Sequence, residues 1–199
     1  MKITFRFKSF PDHKGIPGHR GGSLPRGDVW SGNQSQEFTS ARTSINSRKL
    51  PAVFSQVDFK PGTVNVDIGG GRFDNATEYL ASKGVENLIF DPYNRSVEHN
   101  DYVMKRVAGG KADTATISNV LNVIKEPENR LRVINQAYDA LKPGGTAYIK
   151  VYAGDLSGIG KPTSSGWQEN RKISTYLEEV RSVFKNAYVK GDLIVATKS

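Results

Sequence analysis

A run of three glycines stands between an apolar strand and a helix start, an arrangement that can hold an anionic or nucleotide-like ligand. The stretch Thr63–Leu80 reads TVNVDIGGGRFDNATEYL. Val64, Val66 and Ile68 predict a buried strand, and Asp74 is predicted to cap the helix. Glycine is needed where a ligand touches bare backbone, and a helix N-terminus offers N–H groups to an anion. The stretch therefore predicts the first unit of a nucleotide-binding α/β domain, although an ordinary strand-to-helix turn would give the same pattern.

Carboxylates near the ends of two predicted strands suggest how such a ligand would be held. Asp67 precedes the glycines, and Asp91 follows 24 residues later at the end of a second strand. A carboxylate there can accept hydrogen bonds from both ribose hydroxyls of a cofactor, although it can also cap the next segment. Tyr93 is placed to flank an adenine. The candidate cofactor-binding residues on this side are Asp67, Gly69, Gly70, Gly71, Asp91 and Tyr93.

The elements that must position these residues alternate between strand and helix patterns. We expect strands at Asn87–Tyr93, Ala112–Val120 and Thr146–Tyr152, helices at Asp74–Ser82, Arg95–Val107, Pro127–Leu141 and Ile173–Phe184, and a closing hairpin at Ala187–Lys198. Only 21 residues lie between Asp91 and Asp113, too few for a helix, a strand and a second helix. The pattern predicts a Rossmann-like α/β sheet that lacks its usual third strand.

Composition limits the chemistry and the compartment. The chain of 199 residues has no cysteine, which excludes a disulfide scaffold, a thiolate metal site, an iron–sulfur cluster and covalent cysteine catalysis. No apolar run is long enough to span a membrane, and the N-terminus has no apolar signal-peptide region. His13 and His19 are expected to be solvated rather than a metal pair. We therefore expect a cytoplasmic protein without a metal.

The positive charge is concentrated at the N-terminus. Residues 1–49 hold nine Lys and Arg against three Asp and Glu, a net charge of +6, whereas the whole chain carries +8. We interpret residues 1–40, rich in Gly, Pro and Ser, as an irregular basic extension and residues 41–199 as the folded domain. A basic arm on a near-neutral domain suits contact with nucleic acid, while a solvated tail is an equal alternative.

A second glycine-rich, basic loop, Gly154–Lys172, follows the Thr146–Tyr152 strand. Ligands bind at the carboxyl ends of such strands, so we interpret it as a substrate lid, with a mobile surface loop as the alternative. Its candidate substrate-binding residues are Lys161, Trp167, Arg171 and Lys172. Trp167 can either stack on a base or pack on the domain. Tyr152 and Asp155 are the candidates for a catalytic base.

Two ordered motifs resemble the class I S-adenosylmethionine (SAM) methyltransferases. The run DIGGGRF, at Asp67–Phe73, resembles their motif I, and SNVLNVIKEPENR with the later LKPGG resembles the region between their fourth and fifth strands. The resemblance implies SAM as cofactor and, with the third strand absent, the sheet order 2-1-4-5-7-6 in the family's strand numbering. It also implies that Asn119 and Val120 line the methyl-transfer face.

A larger ordered set of motifs is similar to methyltransferases encoded beside DNA phosphorothioation systems and to their phage relatives. The set is ARTSINSRKLP, DIGGGRFDN, DPYNRS, SNVLNVIKEPENR and SSGWQENRK. It implies that Ser44, Asn46 and Lys49 close over the methionyl end of the cofactor. The chain departs from that family in its turn, Ile-Gly-Gly-Gly, where Tyr-Gly-Cys-Gly is more usual. GIPGHRGGSLPRG, at Gly15–Gly27, resembles a segment of phage head-associated proteins, and a phage origin would place the protein in the host cytoplasm.

Three functional classes follow from these patterns. The first is a SAM-dependent methyltransferase with an unidentified acceptor, and the second is a nucleic-acid-binding module that retains a methyltransferase shell without activity. The third is a nicotinamide-dependent oxidoreductase, which is disfavoured because the dinucleotide fingerprint needs a third glycine where Asp74 stands. Ser118–Leu121 reads SNVL rather than [DNS]-P-P-[YFW], which weighs against methylation of adenine N6 or cytosine N4.

Overall fold

The computed structural model describes residues 48–199. The predicted extension, Ser44 and Asn46 lie outside the described residues. The strands are β1 Val64–Ile68, β2 Glu86–Phe90, β3 Ala112–Ser118, β4 Leu141–Lys150, β5 Lys161–Thr163, β6 Gly166–Gln168, β7 Asn186–Lys190 and β8 Leu193–Thr197. The α-helices are α1 Ala52–Gln56, α2 Asn75–Ala81, α3 Val97–Val107, α4 Pro127–Ala140 and α5 Leu177–Arg181, with 3-10 helices at Leu121–Val123 and Ile173–Tyr176.

Six strands form one mixed sheet in the order β2-β1-β3-β4-β8-β7. The first four strands pair in parallel, and β8 pairs antiparallel with both β4 and β7. The predicted order 2-1-4-5-7-6 is confirmed, because β3 and β4 take the places of the family's fourth and fifth strands. The carboxyl ends of β1, β2, β3 and β4 therefore meet at one edge of the sheet, where the predicted cofactor residues are also located.

The two faces of the sheet are buried in different ways. On one face Ile68, Ile117, Ile149 and Ile194 are register neighbours, and each is almost fully buried. The other face carries the polar residues of β1 and its neighbours, although it too is covered. There the Nδ2 of Asn65, which is fully buried, donates to Asn87 Oδ1 at 2.7 Å. This face is stable because its buried amides and hydroxyls are hydrogen-bonded to each other.

The short helix α1 joins the core through an aromatic cluster. Pro51 precedes the helix, and Val53 and Phe54 are fully buried. The Phe54 ring stacks on Phe59 with 6.1 Å between centroids, and Phe59 meets Tyr148 of β4 edge-on at 6.2 Å. The apolar face of α1 is therefore buried in the core. It fastens the first described turn of the chain to the sheet.

Three elements differ from the expected ones. Strand β4 begins at Leu141 rather than Thr146, because the chain continues into the sheet through Gly144, at φ +78°, with a register shift opposite β3. In place of the helix expected at Ile173–Phe184 there is a 3-10 turn followed by α5. In a 3-10 turn the side chains at positions i and i+3 lie on the same side, so Ile173 and Tyr176 are buried together. Strands β5 and β6 form a hairpin inside the glycine-rich loop.

The described residues can be searched for a membrane-spanning helix and for a metal-binding cluster. Between residues 48 and 199, no helix combines the length and apolar character needed to cross a membrane. The same residues contain no cluster of three or more His, Cys, Asp or Glu side chains arranged to hold a metal ion.

Candidate functional site

Each position of the turn after β1 requires glycine, and the structural cause differs from one position to the next. Gly69 and Gly71 have φ of +76° and +77°, a region that favours glycine. A Cβ at Gly69 would lie 2.5 Å from Val120 Cγ2. Gly70 has an ordinary φ, but a Cβ there would collide with the Asp67 carboxylate. The turn is thus packed on its inner side and partly exposed on its outer side, where a ligand can reach the backbone.

Asp91, one strand away, holds the backbone around the turn. Its Oδ2 accepts from Gly71 N at 2.9 Å, and its Oδ1 accepts from Tyr93 N and Asn94 N at 2.9 Å each. Asn94 Nδ2 adds a fourth bond to Oδ1 at 3.0 Å. The carboxylate is only 4% exposed. It therefore caps its own turn, and its Oδ2 accepts one hydrogen bond, from Gly71 N, and can accept another.

Arg95 is a member of this site that the sequence did not reveal. Its Nε donates to Gly71 O at 2.8 Å, and its Nη2 donates to Phe73 O at 3.0 Å. The same nitrogen pairs with Asp74 at 2.8 Å, so Asp74 is at the predicted cap position but makes an ion pair instead of a cap hydrogen bond. Arg95 lies in the DPYNRS motif, but the motif does not say which groups its guanidinium contacts. Only the fold brings it beneath the glycine turn.

Asp67 is a buried carboxyl group directly below the turn. It is 2% exposed, and Thr116 Oγ1 donates to its Oδ1 at 2.8 Å. Burial raises the pKa of Asp67 to about 7, and the nearby Asp91 adds to the rise, whereas the Thr116 hydrogen bond opposes it. Near neutral pH this carboxyl group is therefore partly protonated.

The end of β3 faces the glycine turn. Asn119 is exposed and has φ +58°, an uncommon backbone conformation for a residue other than glycine, and its N–H donates to Lys150 O at 2.9 Å. Val120 lies against Gly69. Among the described side chains, none bonds the buried Ser118 Oγ. The structure thus places Val120 against the glycine turn, with Asn119 next to it in the chain.

The segment before α1 lies beside the loop that follows the turn. Asn75 Nδ2 donates to Arg48 O at 3.0 Å, and the Arg48 guanidinium lies 4.8 Å from the Phe73 ring centroid. Lys49 is therefore adjacent in sequence to a contact with the site, and it is exposed. Tyr93 is 39% exposed at the end of the Asp91 turn.

The two candidate bases differ in their surroundings. Tyr152 is 62% exposed, and its carbonyl accepts from Gln168 Nε2 at 3.0 Å. Asp155 pairs with Lys161 at 2.8 Å and accepts from Ser157 N at 2.9 Å. These hydrogen bonds, that from Lys161 foremost, hold the pKa of Asp155 well below its usual range. Asp155 is consequently a weak proton acceptor.

The glycine-rich loop is hydrogen-bonded to the 3-10 helix Leu121–Val123, which follows β3. Asn122 Nδ2 donates to Gln168 Oε1 at 3.1 Å, and Glu169 N donates to Asn122 O at 2.6 Å. Trp167 is half-buried, donates to Glu169 at 3.0 Å and lies 4.8 Å from the Lys125 ammonium. These contacts hold the β5–β6 hairpin beside the 3-10 helix Leu121–Val123. The indole is engaged with the protein, as in the packing alternative.

Two of the three cations in this loop, Lys161 and Arg171, are paired with carboxylates. Lys161 pairs with Asp155, and Arg171 donates to Glu179 at 3.0 Å while its guanidinium covers the Tyr176 ring at 3.9 Å. The Glu179 carboxylate also accepts hydrogen bonds from Nε and Nη2 of the buried Arg130, at 2.7 and 2.8 Å. Lys172 is exposed. The sequence could not reveal these partners because Glu179 and Arg130 are distant along the chain.

A groove of about 450 Å³ lies elsewhere, between the end of α1 and the turn joining β7 to β8. Its lining includes Val57, Tyr148, Tyr188, Lys190 and Asp192. None of the predicted site residues lines it. This groove lies apart from the carboxyl edge of β1, β2 and β3, where the predicted cofactor residues lie.

Solved methyltransferase structures resemble this chain at low identity, and the first two described here share its fold. A Burkholderia thailandensis 1,6-didemethyltoxoflavin-N1-methyltransferase, with its namesake ligand and S-adenosylhomocysteine bound, is 15% identical, with TM-score 0.55, over 86% of this chain and 81% of that one. Human N-acetylserotonin methyltransferase in complex with SAM is 18% identical, with TM-score 0.53, over 74% and 51%. A Haemonchus contortus N-methyltransferase, in complex with phosphomonomethylethanolamine and S-adenosylhomocysteine, is 19% identical, with TM-score 0.49, over 70% and 37%.

These likenesses concern the fold. The chain spans about half the length of the human enzyme and 37% of the Haemonchus protein. No curated protein sequence matches it. The sequence profile described as "Methyltransferase domain" matches residues 38–187, which is most of the chain. Because of that match, and with a sheet order and a glycine turn that agree with it, the chain belongs to this family of methyltransferases.

Proposed function

We propose that this methyltransferase binds S-adenosylmethionine across the carboxyl edge of β1, β2 and β3 and transfers the sulfonium methyl to an acceptor beside the end of β4. The observation that carries the proposal is the contact of Gly69 with Val120, with the Asp91 turn one strand away. This juxtaposition leaves a glycine-lined surface between an acidic turn and a strand end. Two of the solved structures with this fold and TM-scores above 0.5 hold SAM or S-adenosylhomocysteine.

Each predicted residue has a role in that arrangement. The methionyl carboxylate lies near the turn formed by Gly69, Gly70 and Gly71, above Asp67. Asp91 Oδ2 accepts from a ribose hydroxyl, and Tyr93 flanks the adenine. Asn119 and Val120 line the methyl-transfer face. Lys49, with Ser44 and Asn46, covers the methionyl end, a role supported for Lys49 by the neighbouring contact of Arg48 with Phe73.

The chemistry asks little of a catalytic base. A sulfonium methyl is already activated, so the protein mainly has to hold the nucleophile in line behind it. Asp155 is engaged with Lys161 and is a poor acceptor of the leaving proton. Tyr152, exposed at the end of β4, is the better placed of the two candidates.

A second function remains open on the strength of the charge distribution. The net charge of +6 in residues 1–49 supports contact with nucleic acid, in a protein that either methylates it or only binds it. The pairing of Lys161 and Arg171 with carboxylates reduces the contribution of the loop to such contact. A phage origin, and a relation to methyltransferases of phosphorothioation systems, belong to this proposal and rest on the order of the sequence motifs.

Calorimetry with four ligands tests the proposal. Purified protein is titrated with SAM, S-adenosylhomocysteine, NAD and a DNA oligomer. We expect saturable heat and raised thermal stability with the two adenosyl ligands, by mass action. Binding of NAD in place of S-adenosylhomocysteine would overturn the donor assignment. Binding of DNA with no heat from either adenosyl ligand would favour a module that has lost the activity.

A further inference from the structure

Exposed apolar side chains are concentrated in the loop that leaves β4. Among residues 48–199, seven large apolar or aromatic side chains are exposed, and three of them lie within eight residues of one another. Tyr152 and Ile159 are each 62% exposed, and Leu156 is 57% exposed. Single exposed apolar residues are ordinary on protein surfaces, but a concentration of them beside a site indicates a binding surface.

The backbone that carries these side chains is fixed from beneath by Asn170. This residue is 5% exposed, and its Nδ2 donates to Ile159 O at 2.8 Å. Its own carbonyl accepts from Gly158 N at 2.8 Å. A Cβ at Gly154 would collide with the Asn170 amide, so the two ends of this loop are in close contact. The exposed side chains therefore project from an ordered loop.

Leu156 has an unfavourable backbone conformation for its residue type. Its φ is +61°, in the left-handed region that glycine and asparagine tolerate much better than leucine. Its side chain is mostly exposed, so little burial within the described chain offsets this strain. A strained residue that gains little from its own fold is a candidate for contact with a ligand.

Two of the three cations in the loop are already paired with carboxylates, so they offer less charge to a ligand. Lys161 is paired with Asp155, and Arg171 with Glu179. The loop follows β4, whose carboxyl end meets that of β3, where Asn119 N–H bonds Lys150 O. The apolar side chains thus start from the same edge of the sheet as the proposed donor site.

We propose that Tyr152, Leu156 and Ile159 form an apolar surface, the acceptor surface, that receives the hydrophobic or aromatic part of the methyl acceptor. The inference rests on the proposed function and narrows its substrate class. The acceptor is then a molecule with an apolar portion next to its nucleophile, rather than a polyanion held by its charge.

The test uses shape-matched polar substitutions in the full chain. Leu156→Asn keeps the side-chain size and suits a positive φ, and Ile159→Thr keeps the β-branch. The probe is the uncharged dye N-phenyl-1-naphthylamine, titrated by fluorescence in the presence of saturating S-adenosylhomocysteine. We expect the double variant to raise the Kd of the dye at least about tenfold, the scale of losing one or two apolar contacts. Its unfolding temperature should equal or exceed that of the wild type.

Tyr102→Gln is the matched control, because Tyr102 is 55% exposed on α3, outside the loop. It should leave dye affinity unchanged. Dye binding that the double variant leaves intact, or that the control weakens equally, would overturn the acceptor surface, as would a wild type that binds no dye. If the double variant fails to fold, Ile159→Thr alone gives the same reading.

Calorimetry of S-adenosylhomocysteine on the same variants separates this proposal from the proposed function. All of them should bind the nucleoside normally, because none of the three substituted residues is placed in the donor site. Absence of that binding in the wild type would contradict the donor assignment. The dye titration would still test the acceptor surface by itself. Normal binding together with dye affinity that the double variant does not change contradicts the acceptor surface alone.

Discussion

Gly69 and Val120 are in contact across the carboxyl edge of the sheet, at a distance that leaves no room for a Cβ on residue 69. The contact joins the turn after β1 to the end of β3. It makes the width of the proposed donor site depend on two positions that are 51 residues apart in the chain.

Gly69→Ala should destabilise the protein and abolish binding of S-adenosylhomocysteine. The variant combines a left-handed backbone, costing about 1–2 kcal/mol, with overpacking, costing about 1–3 kcal/mol. Gly62→Ala is the matched control, because Gly62 has φ +78° with no atom near its would-be Cβ. It should show the backbone cost alone in denaturant unfolding. Adding Val120→Ala to Gly69→Ala should recover the overpacking part, and a double variant no more stable than Gly69→Ala would contradict the contact.

Asp91→Ala should weaken both the fold and the cofactor complex. The change leaves the N–H groups of Gly71, Tyr93 and Asn94 without their acceptor, which costs about 1–3 kcal/mol for each group that stays buried. Calorimetry should show a further loss of roughly 1.5–3 kcal/mol in binding of S-adenosylhomocysteine, if Oδ2 takes a ribose hydroxyl. Reduced stability with unchanged affinity would mean that Asp91 only caps its turn.

The Asp67 carboxyl group should make stability depend on pH near neutrality. Its folded pKa is about 7, above the ordinary value of 3.8, so between these values the folded state binds the extra proton. The free energy of unfolding should therefore fall as pH rises from about 4 to 7, by at most about 1.4 kcal/mol per pH unit, and level off above pH 7. Asp67→Asn should remove this slope in urea unfolding measured between pH 5 and 8.

Asp113→Asn is the control for that slope. Although its partial burial acts in the opposite direction, hydrogen bonds from Lys142 and from Val64 N–H lower the pKa of Asp113. Its contribution to stability is therefore lost only as pH falls below the ordinary range of a carboxyl group, and the effect of the variant should be constant between pH 5 and 8. A wild-type slope that survives Asp67→Asn would place the titrating group elsewhere.

Glu179→Gln should be strongly destabilising, because it leaves the buried Arg130 and the stacked Arg171 without their shared carboxylate. Breaking a buried pair on one side costs about 3–5 kcal/mol. Glu178→Gln, one residue away, removes an exposed partner of Arg181 and should cost less than about 1 kcal/mol. Equal effects of the two variants on chemical unfolding would show that the network contributes little.

Deleting residues 1–40 tests the basic extension. If the extension contacts several phosphates, the affinity of the full chain for a DNA oligomer should fall steeply between about 50 and 200 mM salt. The truncated protein should show a flatter slope and unchanged affinity for S-adenosylhomocysteine. Salt-independent or absent DNA binding by the full chain would identify the extension as a tail without this partner.

The sequence by itself determined the location of the glycine turn and the absence of a third strand, and the resemblance to known motifs supplied the order of the sheet. The signals for the glycine turn are local. They are the alternating β-branched residues, the three glycines and the helix start, and all of them lie within a short stretch of sequence around Gly70. The 21 residues between Asp91 and Asp113 left no room for a third strand, so chain length alone fixed that part of the topology. The match to known motifs added the methyltransferase fold.

Only the tertiary structure decided how the polar groups pair. Arg95 beneath the glycine turn, Arg130 on Glu179 and Lys161 on Asp155 are contacts between side chains whose residue types have many possible partners. The periodicity of a strand or helix states which face is buried, but it carries no information about which charge meets which across a fold. For the same reason the sequence predicted substrate-binding cations in the Gly154–Lys172 loop without their partners, whereas the folded chain pairs Lys161 and Arg171 with carboxylates and leaves apolar side chains exposed in the loop.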